Sequence, residues 1–349
     1  MKISIGTKIK EGPWGGGNLF AKNLKNYLEN SGYTVVDNLN DSDIDLILIT
    51  EPRKTSESSA FTNYDVEKYL KYVKHDTIVV HRINECDERK NTDFVNKFMI
   101  KANEIADFTI FVSSWLQNLY QDQGLNTENS LVIKAGADES IFNSFNKKTW
   151  IEGSKFKIVT HHWGANWNKG FDVYELLDNL LDKEEWKNNL EFTYIGNLPK
   201  KFSFKNTTHL QPTQGHDLAE KLKNNHIYLT ASINEPSGNH HIEGAQCGLP
   251  LLFLDSGGIP EYCDGYGVKF THENFVIKLK EMIDQFPKYL DSVKNYPNNA
   301  SIMSSEYEQL FMYLLKNKTD ITALRKKYNF NFLDRFYYQA VRNFKNTLR

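Results

Sequence analysis

The sequence predicts an α/β protein with two domains, each built on a parallel β-sheet that helices cover on both faces. Three observations support this prediction. The chain has 349 residues, which is long for one domain and suits two. Short apolar segments alternate with longer helical patterns along most of the chain, as in parallel α/β units. Several apolar segments are nearly continuous in leucine and β-branched residues, as expected for strands buried on both faces.

The first domain is expected to span residues 1–149. Its predicted strands are residues 3–5, 33–36, 44–49, 77–80, 108–112 and 131–133, and its predicted helices are 18–30, 64–74 and 91–105. The polar stretch 143–154 interrupts the alternation and is the predicted linker.

The second domain is expected to span residues 150–319. Its predicted strands are residues 156–159, 192–195, 227–230 and 251–254, and its predicted helices are 171–181, 217–224 and a segment from about residue 239. Ligands of parallel sheets bind beyond the carboxyl ends of the strands. We therefore expect a binding cleft between the two domains.

The composition argues against several classes of protein. A net charge of −2 does not indicate a nucleic-acid partner. The three cysteines, Cys86, Cys247 and Cys263, are odd in number and widely spaced, which argues for a reducing compartment rather than a disulfide framework. The start of the chain lacks the apolar core of a signal peptide, and no apolar run approaches the roughly 20 residues of a membrane span. A cytoplasmic protein is expected.

The segment 232–261 carries the strongest functional signal. Glu235 follows an apolar strand, and a Pro-Ser-Gly-Asn turn leads into a predicted helix with Ser237 and Asn239 as candidate N-caps. Backbone N–H groups at a helix start suit phosphate oxygens. Glu243 lies about one turn into this helix, so it can face the same pocket as Glu235. Carboxylates accept hydrogen bonds from paired hydroxyls such as those of a sugar or a ribose.

The spacing of these two glutamates is weak evidence by itself. Glu273 and Glu281 repeat it in a predicted solvent-exposed helix, and the alternative for Glu235 and Glu243 is a helix cap and a surface charge. The surrounding order is more specific: strand, Glu, small-residue turn, helix, Gly-Leu-Pro, strand, and then Asp-Ser-Gly-Gly-Ile-Pro-Glu at 255–261.

This arrangement resembles the donor site of glycosyltransferase family 4, whose members are retaining enzymes. Residues 134–142 (Lys-Ala-Gly-Ala-Asp-Glu-Ser-Ile-Phe) are similar to the stretch that closes the family's first domain, and Ser113 follows a strand as in the family. The resemblance extends in the family's order over roughly residues 2–315. It implies a GT-B fold, in which two Rossmann-like doubly wound domains face each other across a cleft.

The resemblance also implies residue roles. Glu235 would contact the reacting end of the donor sugar, and Glu243 would hold the ribose hydroxyls. Lys169 would neutralise the leaving diphosphate, on which charge builds as the glycosidic bond breaks. Further donor contacts are expected from residues near helix starts and a strand end: Gly16, Gly17, Asn18, His161, Gly238, Asn239 and His240.

One position departs from the family pattern. Members usually carry an arginine about five residues before the lysine that corresponds to Lys169, and residues 161–169 (His-His-Trp-Gly-Ala-Asn-Trp-Asn-Lys) contain none. Half of the expected diphosphate clamp is therefore missing or supplied from elsewhere. His161, Lys200 and Lys201 are candidates, although His161 could equally serve strand-end packing.

Two first-domain features have open interpretations. The glycine-rich stretch 12–18 is either a mobile loop near the donor phosphate and acceptor or a surface turn with a helix cap, and it does not match the Gly-x-Gly-x-x-Gly signature of dinucleotide folds. His81, at the end of a predicted strand, is either a catalytic residue that touches the sugar or a half-buried histidine with a backbone partner. Arg82 and Asn84 are candidate acceptor contacts.

The C-terminal segment 321–349 carries seven lysines and arginines against one acid, Asp334. We expect a closing helix, at about 320–349, that packs back on the first domain. The alternative is a peripheral contact with the inner face of a membrane.

The sequence thus predicts a retaining, metal-independent hexosyltransferase. Its donor would be a UDP- or GDP-linked sugar, its acceptor a glycan or a lipid-linked glycan, and its setting cell-surface polysaccharide biosynthesis. No cofactor and no metal site are expected, since His240, His241 and Cys247 lack metal-ligand spacing. The alternatives are a GT-B-like sugar-nucleotide epimerase or hydrolase, and a non-catalytic protein that binds sugar nucleotides.

Overall fold

A computed structural model describes residues 1–12, 15–325 and 332–347. Within these ranges the chain forms two α/β domains, each on a six-stranded sheet whose strands all pair in parallel. The predicted fold class is confirmed. None of the helices in the described part of the chain is long and apolar enough to cross a membrane.

The first sheet has the strand order β2-β1-β3-β4-β5-β6. Its strands are β1 (Lys2–Ile5), β2 (Thr34–Val36), β3 (Leu46–Ile49), β4 (Ile78–Ile83), β5 (Phe108–Phe111) and β6 (Ser130–Val132). Its helices are α1 (Gly16–Asn30), α2 (Asn63–Tyr72), α3 (Asp87–Lys90), α4 (Val95–Asn103) and α5 (Ser114–Asp122). The central strands β3 and β4 are buried at every residue, as their apolar sequences predict.

The predicted helix at 91–105 is wrong in its first part, because residues 91–94 are not helical and separate α3 from α4. Asn91 adopts a left-handed conformation, with φ of 54°, and ends α3. The carboxylate of Asp87 then accepts hydrogen bonds from the backbone N–H groups of Val95 and Asn96, both at 2.9 Å. These bonds satisfy the free donors at the start of α4. The short helix α3 is thereby held as a separate element at the carboxyl end of β4.

The second sheet has the order β12-β11-β10-β7-β8-β9. Its strands are β7 (Phe156–His162), β8 (Leu190–Gly196), β9 (Thr208–Leu210), β10 (Ile227–Thr230), β11 (Leu251–Leu254) and β12 (Gly267–Phe270). Its helices are α6 (Phe171–Leu180), α7 (Glu184–Lys187), α8 (Gly215–Lys223), α9 (Asn239–Gln246), α10 (Ile259–Cys263), α11 (Phe275–Asp284) and α12 (Phe286–Ser292). A 3-10 turn at Trp167–Lys169 follows β7.

The chain returns to the first domain earlier than the predicted boundary at residue 319. Helix α13 (Ala300–Lys316) buries Met303, Tyr307 and Phe311 in the same core as Phe20 of α1. Spacings of four residues put these side chains on one face of the helix, which therefore belongs to the first domain.

Two further helices, α14 (Lys318–Ala323) and α15 (Phe332–Thr347), follow α13. Helix α15 lies against α2, where the Gln339 side chain donates to the carbonyl of Tyr72 at 3.2 Å and the Tyr338 ring contacts the Tyr72 ring. Of the basic C-terminal segment, Lys326, Lys327 and Arg349 lie outside the described residues.

The two chain crossings between the domains lie side by side. Ala137 of the first crossing bridges to Asn299 of the second, and the Ala300 N–H donates to the Ala137 carbonyl at 2.8 Å. A Cβ atom on Gly136 would lie 2.1 Å from the carbonyl oxygen of Asn299, so only glycine permits this approach.

Candidate active site

A cleft of about 660 Å³ lies between the two domains and is lined by both. Three helices, α1, α8 and α9, begin at this cleft, and none has a side-chain hydrogen bond that caps its start. Their first backbone N–H groups and the positive ends of the helix dipoles therefore remain for a ligand. Such an arrangement suits an anion.

Helix α9 is capped by neither Ser237 nor Asn239, so that prediction is wrong. Gly238 occupies the N-cap position with φ of 78° and no side-chain cap bond. A Cβ atom at Gly238 would lie 2.7 Å from the His240 ring and 3.0 Å from Cγ of Glu235. The tight turn between Glu235 and α9 therefore requires glycine, and it leaves the helix start uncapped.

Glu235 lies in the cleft wall, 4% exposed, between two cations. Lys169 Nζ donates to Oε2 at 2.5 Å, and Arg89 Nε lies 2.9 Å from Oε1. Burial by itself raises the pKa of this carboxyl, but Arg89 and Lys169 outweigh it and bring the pKa to about 2. Glu235 is therefore ionised at neutral pH and unsuited to donate a proton.

Lys169 is buried at the end of the 3-10 turn after β7. Burial lowers the pKa of its ammonium group, while the Glu235 carboxylate opposes that effect. The sequence analysis expected both Lys169 and Glu235 to contact the donor, and in the structure the two side chains contact each other directly.

Arg89 was missed by the sequence reasoning. It lies on α3 of the first domain, where NH1 is 2.9 Å from Oε2 of Glu85. Burial opposes its charge, but Glu235 and Glu85 together raise the pKa of the guanidinium above its ordinary value. The available signal was the charged run Glu-Cys-Asp-Glu-Arg-Lys at 85–90, which begins two residues after β4, at the carboxyl end of the sheet where ligands bind.

Neither Lys200 nor Lys201, the candidates for the missing cation, lines the cleft among the described residues. His161 does line it but pairs with Glu243: its Nε2 lies 2.8 Å from the carboxylate oxygen Oε2 and donates to it. The Tyr228 hydroxyl lies 3.1 Å from Nδ1 of His161 and fixes the ring from the other side. The hydrogen bonds from Tyr228 to His161 and from His161 to Glu243 orient the Glu243 carboxylate, which lines the same cleft as Glu235.

His240 and His162 also line the cleft, and both are buried. His240 Nε2 lies 2.8 Å from Oγ1 of Thr230, and His162 Nε2 lies 2.7 Å from the hydroxyl of Tyr174. Burial lowers the pKa of each imidazole well below its ordinary value, so both rings are neutral at neutral pH.

The start of α1 faces the start of α9 across the cleft. A Cβ atom on Gly16 would lie 3.0 Å from Oδ1 of Asn239. Gly16, Gly17 and Asn18 belong to the first turn of α1 rather than to the loop that one interpretation of the sequence placed there. Asn18 accepts from the Lys10 N–H at 2.8 Å and donates to the Lys10 carbonyl at 2.9 Å, which ties the preceding segment to the helix.

The structure does not bring His81 to the cleft. Strand β4 continues to Ile83, so His81 lies inside the strand, 0% exposed, with Nδ1 2.8 Å from Oδ1 of Asn103. Burial lowers the pKa of His81 to about 4. Arg82 and Asn84 do line the cleft, and the Arg82 guanidinium lies 3.9 Å from the centroid of the Phe20 ring.

Across residues 1–12, 15–325 and 332–347, no group of three or more histidine, cysteine, aspartate or glutamate side chains is arranged to hold a metal ion.

No known sequence family and no curated protein matches this chain. Several solved structures resemble it in fold. A glycosyltransferase from Rickettsia africae ESF-5 has a TM-score of 0.65 at 14% identity, with 90% of this chain and 98% of that chain covered. Anabaena HepE in complex with UDP has a TM-score of 0.64 at 14% identity, covering 90% and 100%. WaaG, a glycosyltransferase involved in lipopolysaccharide biosynthesis, has a TM-score of 0.58 at 13% identity, covering 89% and 99%. This likeness confirms the GT-B fold.

Proposed function

We propose that this protein is a glycosyltransferase that moves a sugar from a nucleoside-diphosphate sugar to an acceptor hydroxyl. One observation carries the proposal: Glu235 is held between Lys169 and Arg89 beside the uncapped start of α9. An ionised carboxylate, two cations and free backbone donors suit a substrate with a diphosphate next to a sugar. Anabaena HepE, which has the same fold, was solved with UDP, and this supports a nucleotide donor.

The diphosphate, the ribose and the sugar of the donor would each have a partner in this arrangement. The start of α9 and Lys169 would hold the diphosphate. Glu243, oriented by His161, would accept hydrogen bonds from the ribose hydroxyls. Glu235 would face the sugar, and the first-domain wall with Arg82 and Asn84 would face the acceptor.

We propose that transfer proceeds with retention of configuration. As the glycosidic bond breaks, the sugar becomes positively charged and the diphosphate gains negative charge. Glu235, with a pKa of about 2, can stabilise the positive sugar but cannot protonate the leaving group. In the proposed reaction the departing phosphate accepts the proton of the acceptor hydroxyl, which attacks from the same face. Protein cations and the helix dipole supply the charge neutralisation without a metal ion.

We propose a UDP- or GDP-linked hexose as donor and a glycan or glycolipid of the cell surface as acceptor. WaaG, one of the proteins of this fold, is described as acting in lipopolysaccharide biosynthesis, which supports this class of acceptor.

A thermal-shift panel of UDP, GDP, ADP and their common sugars tests the proposal. A ligand present at 100 times its Kd raises the free energy of unfolding by about 2.7 kcal/mol. We therefore expect one nucleoside diphosphate and its sugar to raise Tm by several degrees. The selected donor is then incubated with and without acceptor glycans. Stabilisation by none of the nucleotides would contradict the proposal. Donor conversion without acceptor would instead indicate an epimerase or hydrolase, and binding without any conversion a non-catalytic binding protein.

A further inference from the structure

We infer that Arg89, a residue of the first domain, is the second cation of the diphosphate site in the second domain. The site is then complete only when the two domains are in contact. This inference rests on the proposed function and adds to it a residue and a requirement for domain closure.

The geometry places one cation from each domain on the same carboxylate. Lys169, from the second domain, contacts Oε2 of Glu235 at 2.5 Å, and Arg89, from the first, lies 2.9 Å from Oε1. Since both cations touch one carboxyl group and both line the cleft, they lie within reach of a single diphosphate.

The second domain leaves room for this arginine. Residue 164, five positions before Lys169, is glycine, and a Cβ atom there would lie 3.6 Å from Cε of Lys169. A side chain at position 164 would therefore lie beside Lys169, but glycine has no side chain. The guanidinium beside Lys169 comes from α3 instead.

Helix α3 is anchored to the second domain by its backbone. The Asn168 side chain donates to the Arg89 carbonyl at 3.1 Å, and the Asn234 side chain donates to the Glu88 carbonyl at 3.3 Å. Asn168 and Asn234 directly precede Lys169 and Glu235 in the sequence. The segments that carry the proposed donor residues thus also bind the helix that carries Arg89.

The diphosphate of the donor can replace Glu235 as the partner of the two cations. In the ligand-free protein Glu235 pairs with the buried Lys169 and with Arg89, and Glu85 also pairs with Arg89, so each cation has a carboxylate counterion. Diphosphate oxygens would take over both cations as the donor binds, and the Glu235 carboxylate would turn to the sugar. A guanidinium can hold two phosphate oxygens at once, which makes Arg89 suited to this role.

Closure and catalysis are then coupled. If the domains separate, the donor site keeps Lys169 and the start of α9 but loses the guanidinium. Transition-state charge on the leaving diphosphate would be fully neutralised only in the closed arrangement, in which water is also excluded.

The test compares Arg89→Met with the wild type by calorimetry, using UDP, or GDP if the thermal panel selects it, and the matching nucleoside. The variant should fold, because Glu235 keeps Lys169 and Glu85 keeps Lys90, whose Nζ lies 3.0 Å from Oε1. We expect affinity for the diphosphate to fall roughly 10- to 100-fold, as for the loss of a charged hydrogen bond, with affinity for the nucleoside unchanged. Arg89→Lys should restore part of the loss.

Lys97→Met, which removes an exposed first-domain cation on α4, is the matched control and should bind both ligands like the wild type. Equal or tighter diphosphate binding by Arg89→Met would overturn the inference and leave Arg89 as a tether between the domains. An equal loss for nucleoside and diphosphate would also overturn it, because phosphate recognition would then not be involved. Failure of the wild type to bind any nucleoside diphosphate would count against the proposed function itself.

Discussion

Glu235 combines burial with full ionisation, and this combination limits what it can do. The carboxylate is 4% exposed, yet Arg89 and Lys169 hold its pKa at about 2. A group with this pKa is a poor general acid or base near neutral pH. It remains suited to stabilise positive charge on a sugar that lies against it.

Replacing Glu235 with glutamine should separate binding from turnover. We expect the transfer rate of Glu235→Gln to fall about 100- to 1,000-fold, as when a preorganised charged group is lost from an active site. Affinity for the nucleoside diphosphate should stay equal or increase, because Lys169 and Arg89 lose their internal counterion. Steady-state kinetics and calorimetry measure the two effects.

The matched control is Glu273→Gln, an exposed glutamate with the same spacing to a second glutamate, and it should leave both quantities unchanged. Normal turnover by Glu235→Gln would remove Glu235 from the mechanism.

At the scale of elements, helix α9 and strand β7 bring neutral histidines together. His162, His240 and His241 are buried, and burial lowers the pKa of all three, that of His241 to about 3. In the unfolded chain these histidines have a pKa near 6.5 and take up protons below that pH, whereas the native protein does not. Their contribution to stability is therefore present above pH 6.5 and is lost as the pH falls towards 3.

This linkage predicts a steep loss of stability in mild acid. Each such histidine should contribute a slope of about 1.4 kcal/mol per pH unit below pH 6.5. His241→Phe, which keeps a ring beside Tyr262 but removes the titration, should flatten the slope by that amount between pH 6 and 4. Urea unfolding at several pH values measures it. Exposed His75→Gln is the control, and an unchanged slope in His241→Phe would contradict the assignment.

Helix α15 has two different faces. Tyr338, Gln339 and the Arg342 side chain contact α2, and Arg342 also donates to the carbonyl of Asn40 between β2 and β3. Phe336 and Tyr337, on another face, are 69% and 72% exposed. A helix that combines exposed aromatic residues with the basic composition of segment 321–349 suits an anionic lipid surface.

We therefore expect the protein to co-sediment with vesicles that contain phosphatidylserine more than with phosphatidylcholine vesicles. Substitution of Phe336 and Tyr337 by serine should weaken this binding about 10-fold or more, since each ring that enters the interface contributes about 1.5–3 kcal/mol. Ile277→Ser, which removes an apolar side chain that is 67% exposed on α11, is the matched control. Binding that is indifferent to anionic lipid would contradict a membrane role for this helix.

At the scale of the whole molecule, hydrogen bonds join the two domains at two places. The Glu261 carboxylate of the second domain accepts from the N–H groups of Ser114 and Trp115 at 2.8 and 2.7 Å, and so binds the start of α5 in the first. On the other side, Asn168 and Asn234 hold α3. Asn168, Asn234 and Glu261 each lie shortly after the carboxyl end of a strand of the second domain. The arrangement of the domains and the composition of the site are therefore linked.

Ten of the twelve strands described by the structure, the helix after Glu235 and the fold class could be predicted from the sequence alone, whereas β9 and β12 were not predicted. These features depend on residues that are close in the sequence, such as the apolar run at 46–49 or the glycine turn before α9, and on periodicities that repeat every two or 3.6 residues. The shared cleft position of Glu235 and Glu243 could be predicted for the same reason, since only a short turn and the first turn of α9 separate them.

Only the tertiary structure determined which side chains meet across the cleft. His81 has the sequence context of a strand-end residue, but the strand continues past it and buries it. Arg89 has an ordinary charged context, and it reaches Glu235 because α3 docks on the other domain. Contacts of this kind depend on how the two domains are placed, and that placement depends on contacts between residues far apart in the sequence rather than on any local pattern.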